Sequence, residues 1–156
     1  VLISAFIWIQ CAENVIAPDE KPARALSTME KSVVTAGNQF GFQLFQEVMK
    51  NETETNVFIS PLSVSMALGM TLNGANGNTY NAMQKTLQFT GLTSTEINES
   101  YQSLIELLTG LDYGVQFDIA NSIWYRQDYT IETDFINLNK TYFGAQVQGL
   151  DFNSPG

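Results

Sequence analysis

The chain has 156 residues, 44% of them apolar and 12% aromatic, which is material for one domain with a true core rather than a disordered segment. Its net charge of −9, from 7 basic and 16 acidic residues, argues against nucleic acid and against an anionic membrane surface as partners, since both demand clustered Lys and Arg. A solvated acidic surface accounts for the charge. The sequence has no histidine, which excludes Ser-His-Asp and Cys-His catalysis and most catalytic zinc sites. One cysteine, Cys11, allows neither an internal disulfide nor a cysteine-rich metal centre. No cofactor and no metal is expected, and nothing selects a carboxylate pair for an enzyme.

In chain order, residues 1–9 (VLISAFIWI) form an apolar run too short to span a membrane. The run looks like the tail of a secretory signal whose charged start is missing. With Cys11 directly behind it, it resembles a bacterial lipoprotein signal, which would make Cys11 a lipid-attachment site and a membrane tether. Gln10 departs from that pattern, where a small residue belongs. Simple secretion and an unremarkable apolar N terminus remain open alternatives. Residues 12–32, with Pro18 and Pro22 and no sustained periodicity, are expected to be a flexible tether.

Residues 33–50 place Phe40, Leu44, Phe45, Val48 and Met49 on one helical stripe. A short apolar strand, Val57-Phe58-Ile59, then runs into Ser60-Pro61-Leu62-Ser63. Ser60 suits an N-cap and Pro61 the first helical position. From Leu62 to Leu72 the helix leaves no broad polar face, so it is expected to be enclosed by protein on every side. Asn73-Gly74-Ala75-Asn76-Gly77-Asn78 ends it, and Thr79 is placed to cap a third helix carrying Tyr80, Met83 and Leu87. Thr93-Ser94-Thr95-Glu96 has capping-box spacing. It opens a helix with Ile97, Tyr101, Leu104, Ile105 and Leu108 on one face and Gly110 as its stop.

Residues 115–125 change period. Val115, Phe117, Ile119, Ile123 and Tyr125 alternate with polar or small residues, as in a strand. Asn121 falls on the apolar side and needs a buried partner for its amide. Trp124 on the other face predicts cover there. A turn at Arg126-Gln127-Asp128, a helix over residues 130–143 and a short strand within residues 144–152 complete the chain. There is no internal repeat, no phosphate-binding glycine loop and no C-x-x-C. Sequons stand at Asn51, Asn98 and Asn139. They matter in a glycosylating host and are coincidence in a bacterial chain.

This inventory has too few strands. A long strand with two short ones cannot satisfy its own edges, so the chain is expected to be incomplete at its C-terminal end.

The motif Asn56-x-Phe58-x-Ser60-Pro61-x-Ser63, an apolar helix behind it, and then Asn73-Gly74-Ala75-x-Gly77-x-Thr79 closely resemble the second helix and following turn of the serpin family. Phe117 to Trp124 resembles the second strand of that family's main sheet. The element order from about residue 33 to residue 152 matches the family's N-terminal portion. The resemblance implies an α+β fold with helices packed on an incomplete mixed β-sheet, residues 33–156 being the first part of a single domain.

It also implies a function. A serpin inhibits a serine or cysteine protease by being cut in an exposed loop, which then inserts into the main sheet. That loop is expected beyond this chain, so the target protease is unreadable. Asn56, Ser60, Pro61 and Ser63 match the shutter, where the sheet parts. The plainer alternative is that Ser60 is only an N-cap and Ser63 only a first-turn residue. The segment from Thr95 to Thr109 carries Glu96, Glu99 and Glu106 and no cation, so a heparin-like polysaccharide is not expected there. A non-inhibitory serpin, serving as a storage, chaperone or binding protein, is the competing function, and an unrelated anchored α+β module a third. A complete protein is expected to be monomeric.

Overall fold

A computed structural model describes residues 23–53, 56–111 and 114–153. The apolar run, Cys11 and most of the expected tether lie outside the described residues. Helix α1, Thr28–Asn51, begins at Thr28 rather than Val33, which removes the last residues of that tether. The cause is a capping box that the sequence carries as Ser27-x-x-Glu30: the Glu30 N–H donates to Ser27 Oγ at 3.2 Å and the Ser27 N–H to Glu30 Oε2 at 2.6 Å. Arg24 strengthens it, donating to both Glu30 oxygens at 2.9 and 2.5 Å and to Ser103 Oγ at 2.6 Å. One cation thus fastens the chain ahead of α1 to a distant helix.

Glu30 is buried, and the Arg24 guanidinium holds its carboxyl well below the usual carboxylate range, with bonds from Ser103 and Ser27 acting the same way against the cost of burial. The folded pKa lies below the unfolded value of about 4.3. The stability this group contributes is therefore complete above that value and drains away as pH falls below it. Glu30→Gln will cost about 1–2 kcal/mol at neutral pH, discounted because Arg24 is half in water. The gap between wild type and variant will close on acid titration below about pH 4, as followed by urea melts at stepped pH.

The buried stripe of α1 is Val33, Ala36, Phe40 and Gly41, with Leu44 partly covered. Phe45 and Met49, expected on that stripe, are exposed. Helix α2, Pro61–Leu72, lies across α1, and the close approach depends on Gly41, where a Cβ would sit 3.0 Å from Pro61. Helix α3, Gly77–Thr86, is capped by Asn76 rather than by Thr79, whose place is inside the first turn. Gln88 takes a left-handed backbone (φ 63°) to turn the chain out of α3, and this drives Phe89 into the core. Helix α4, Ser94–Thr109, opens on the Thr93–Glu96 capping box and closes at Gly110.

Strand β1, Ser122–Arg126, helix α5, Thr133–Phe143, and strand β2, Gln146–Leu150, form a β–α–β unit. The two strands pair in parallel, Ser122 opposite Gln146 and Arg126 opposite Leu150. The strand expected over residues 115–125 is thus cut to its last third. Residues 57–59 are not a strand at all. Both corrections have one cause: an alternating segment becomes a ladder only where a neighbour accepts its hydrogen bonds, and among the described residues none does. Trp124, expected to be covered, is 46% exposed. Asn121 does find its partner. Its Nδ2 donates to the Phe143 carbonyl at 2.9 Å and its own carbonyl accepts from the Gln146 N–H at 2.9 Å, pinning the end of α5 to the start of the sheet.

Met66, Met70 and Leu72 of α2, Phe89 in the turn between α3 and α4, Ile97 and Tyr101 of α4, and Phe143 of α5 make the centre of the core. Phe89 meets Tyr101 edge-on at 6.0 Å and Tyr101 meets Phe143 at 5.1 Å. A Cβ on Gly69 would stand 3.2 Å from the Tyr101 ring, so glycine there lets α2 reach α4.

Candidate functional site

The N terminus of α2 brings three of the four expected shutter residues together. Ser60 is extended and caps the helix, accepting from the Ser63 N–H at 3.4 Å. Its hydroxyl also shares a 2.8 Å bond with the Ser63 hydroxyl, and either can be the donor. Pro61 occupies the first turn, where the absent N–H has no partner to lose. Asn56 is exposed, four residues upstream. The helix is not enclosed on every side: Ser65, Met66, Gly69 and Met70 face the core, whereas Ser60, Leu62, Ser63 and Val64 face outward. Leu62 is 40% and Val64 36% exposed, an apolar surface with two hydroxyls at its edge.

Beside it, Gly37, Gly41, Phe42 and Phe45 of α1 and residues 57–59 line an open apolar cavity of about 400 Å³. Phe58 stands almost wholly in solvent above it. The hydroxyl pair offers hydrogen bonds that can be exchanged. Among the described residues there is no group of three His, Cys, Asp or Glu able to hold a metal ion, and no helix is long and apolar enough to cross a membrane.

Behind α2 lies a second polar feature, missed in the sequence. Asn98 on α4 donates to Asn73 Oδ1 at 2.9 Å. Asn73, the C-cap of α2, donates to Asn139 Oδ1 at 3.1 Å, and Asn139 on α5 donates to the Phe135 carbonyl at 3.0 Å. Asn98 and Asn139 are 2% and 0% exposed. This amide relay fixes the far end of α2 to two helices, while its near end carries the Ser60 cap and packs through Pro61 against Gly41 of α1. The sequence held a signal for it: Asn98 precedes Tyr101 by three, and Asn139 lies midway between Phe135 and Phe143 at four-residue steps, so both amides share buried faces. Ser65, also buried in α2, shares a bond with the Tyr101 hydroxyl, which burial pushes up to a pKa of about 12.

On α4, Glu96, Glu99 and Glu106 face outward or to the rim, but the helix is not without a cation nearby, because Arg24 reaches Ser103. That guanidinium is already engaged by Glu30. The described part of the segment from Thr95 to Thr109 therefore offers no free cluster of positive charge.

A family profile described as serpin (serine protease inhibitor) matches residues 35–156. The chain is 31% identical over 118 residues to the leukocyte elastase inhibitor of horse, Equus caballus, covering 76% of this chain and 31% of that protein. The fold is similar to human thyroxine-binding globulin, with a TM-score of 0.70 and 26% identity over 82% of this chain and 35% of that one. It is also similar to cleaved kallistatin crystallised with heparin, with a TM-score of 0.72 and 20% identity over 79% of this chain and 37% of that one. The chain thus spans about a third of the length of the relatives it matches. The profile covers residues 35–156, most of the chain, and the fold agrees with it: the chain belongs to the serpin family.

Proposed function

We propose that the protein of which this chain is the N-terminal part inhibits serine endopeptidases, and by extension cysteine endopeptidases, through cleavage of a reactive loop and its insertion into the main sheet. The observation that carries this is the outward face of α2: two mutually bonded hydroxyls, Ser60 and Ser63, at the edge of an uncovered apolar surface. In this reading Asn56, Ser60, Pro61 and Ser63 are the shutter, lying beneath strands that β1 pairs with on its free edge. Small hydroxyls suit that place because their bonds exchange when strands part, whereas a bulky side chain wedges the strands apart. The partner is a serine-type protease, met by a monomeric inhibitor outside the cell or at its surface. The apolar run of residues 1–9 supports export, with lipid attachment at Cys11 as one form of it. No heparin-like polysaccharide is expected at α4, given its acidic face. The second reading is a non-inhibitory binding protein, favoured by the likeness to thyroxine-binding globulin.

The two separate on incubation of the whole protein with a trypsin- or subtilisin-like protease. An inhibitor will form an adduct that survives SDS, and Ser63→Leu will lower its yield, although an exposed Ser63 would tolerate that change within about 0.5 kcal/mol. Clean cleavage with no adduct for any such protease would reject inhibition in favour of the second reading.

A further inference from the structure

The three sequons are equals in the sequence, but their surroundings differ. Asn98 and Asn139 are sealed in the core, and each amide nitrogen is committed inside it, to Asn73 and to the Phe135 carbonyl. A sugar on either nitrogen has no space, and a chain so modified cannot close α4 and α5 onto α2. Asn51 is the last residue of α1, exposed, and followed by an extended Glu52 and an exposed Thr53 that completes the sequon. Its Nδ2 donates to the Glu47 carbonyl at 2.8 Å. A glycosylated amide keeps one N–H, so that bond survives the modification.

We propose that Asn51 is the acceptor of an N-linked oligosaccharide and that folded protein carries none at Asn98 or Asn139. The transfer joins Asn51 Nδ2 to the anomeric carbon of a lipid-diphosphate-linked oligosaccharide. The anomeric C–O bond breaks, the lipid diphosphate leaves with the bonding pair, and the amide gives up one proton. Because transfer precedes folding, the buried sequons act as folding hazards: chains modified there are lost, and those modified at Asn51 alone survive. The proposal rests on the export half of the proposed function and is independent of inhibition.

The test expresses the whole protein behind a eukaryotic export leader, which removes any dependence on the chain's own signal. Soluble monomer from medium and cells is treated with peptide N-glycosidase, and the resulting Asn-to-Asp conversions are mapped by mass spectrometry. Conversion at Asn51 alone is expected. Thr53→Ala abolishes the glycan without touching Asn51. Ser100→Ala with Thr141→Ala removes the buried sequons while sparing the amide relay, and it will keep the Asn51 glycan and raise the yield of soluble monomer. Soluble monomer without a glycan at Asn51, or with one at Asn98 or Asn139, overturns the proposal.

Discussion

Asn73→Leu is expected to destabilise the protein by about 2–6 kcal/mol, seen as a lower urea midpoint with unchanged secondary structure at low denaturant. The substituted residue is only half-buried and leucine fits a helix end well enough. The cost arises in its neighbours. Asn98 Nδ2 loses its acceptor and Asn139 Oδ1 its donor, in positions 2% and 0% exposed that water cannot reach. Each orphaned group costs about 1–3 kcal/mol. Non-additivity is the sharper signature: Asn98→Ala will cost less in the Asn73→Leu background than alone, because its partner is already gone. Equal costs in both backgrounds would mean that the Asn98–Asn73 bond contributes nothing to stability.

Phe89→Ala will remove about 3–5 kcal/mol. Phe89 is fully buried and packs edge-on against Tyr101, the residue that joins α4 to both α2 and α5. The upper part of the range is expected because the site cannot collapse. The backbone is tied on both sides, the Phe89 N–H to the Gln84 carbonyl at 2.9 Å and the Leu92 N–H to the Phe89 carbonyl at 3.0 Å. The left-handed Gln88 leaves that turn little freedom to follow. Phe89→Leu, which fills part of the space, will cost markedly less in the same melts. A loss below about 1 kcal/mol for the alanine would place Phe89 outside the core.

The helices were legible because their signals are local. Thr93 with Glu96, Ser60 with Pro61, and Gly110 all act where the sequence puts them. Ser27 with Glu30 has the same spacing and starts α1 early, yet it sits among polar residues with no periodicity, which hid it. Strands fared worse, since alternation in residues 115–121 shows what a segment could bury and not whether a neighbour exists to pair with it. Leu62 and Val64 make the same point for α2: an all-round apolar helix specifies full cover, and these residues supply cover on one face. At the candidate site, the spacing of Ser60 and Ser63 was readable because one turn of helix brings them together. Asn73, Asn98 and Asn139 meet only through tertiary packing, and no window of sequence contains all three.

In the proposed function, a helix with outward hydroxyls at its start underlies a sheet that can admit another strand. Thermal unfolding of the whole protein before and after a single cut in its reactive loop tests this most directly. Insertion of the cut loop will raise the melting temperature well above that of the intact protein. An equal or lower melting temperature in the cut protein, still held together as one species, would contradict it.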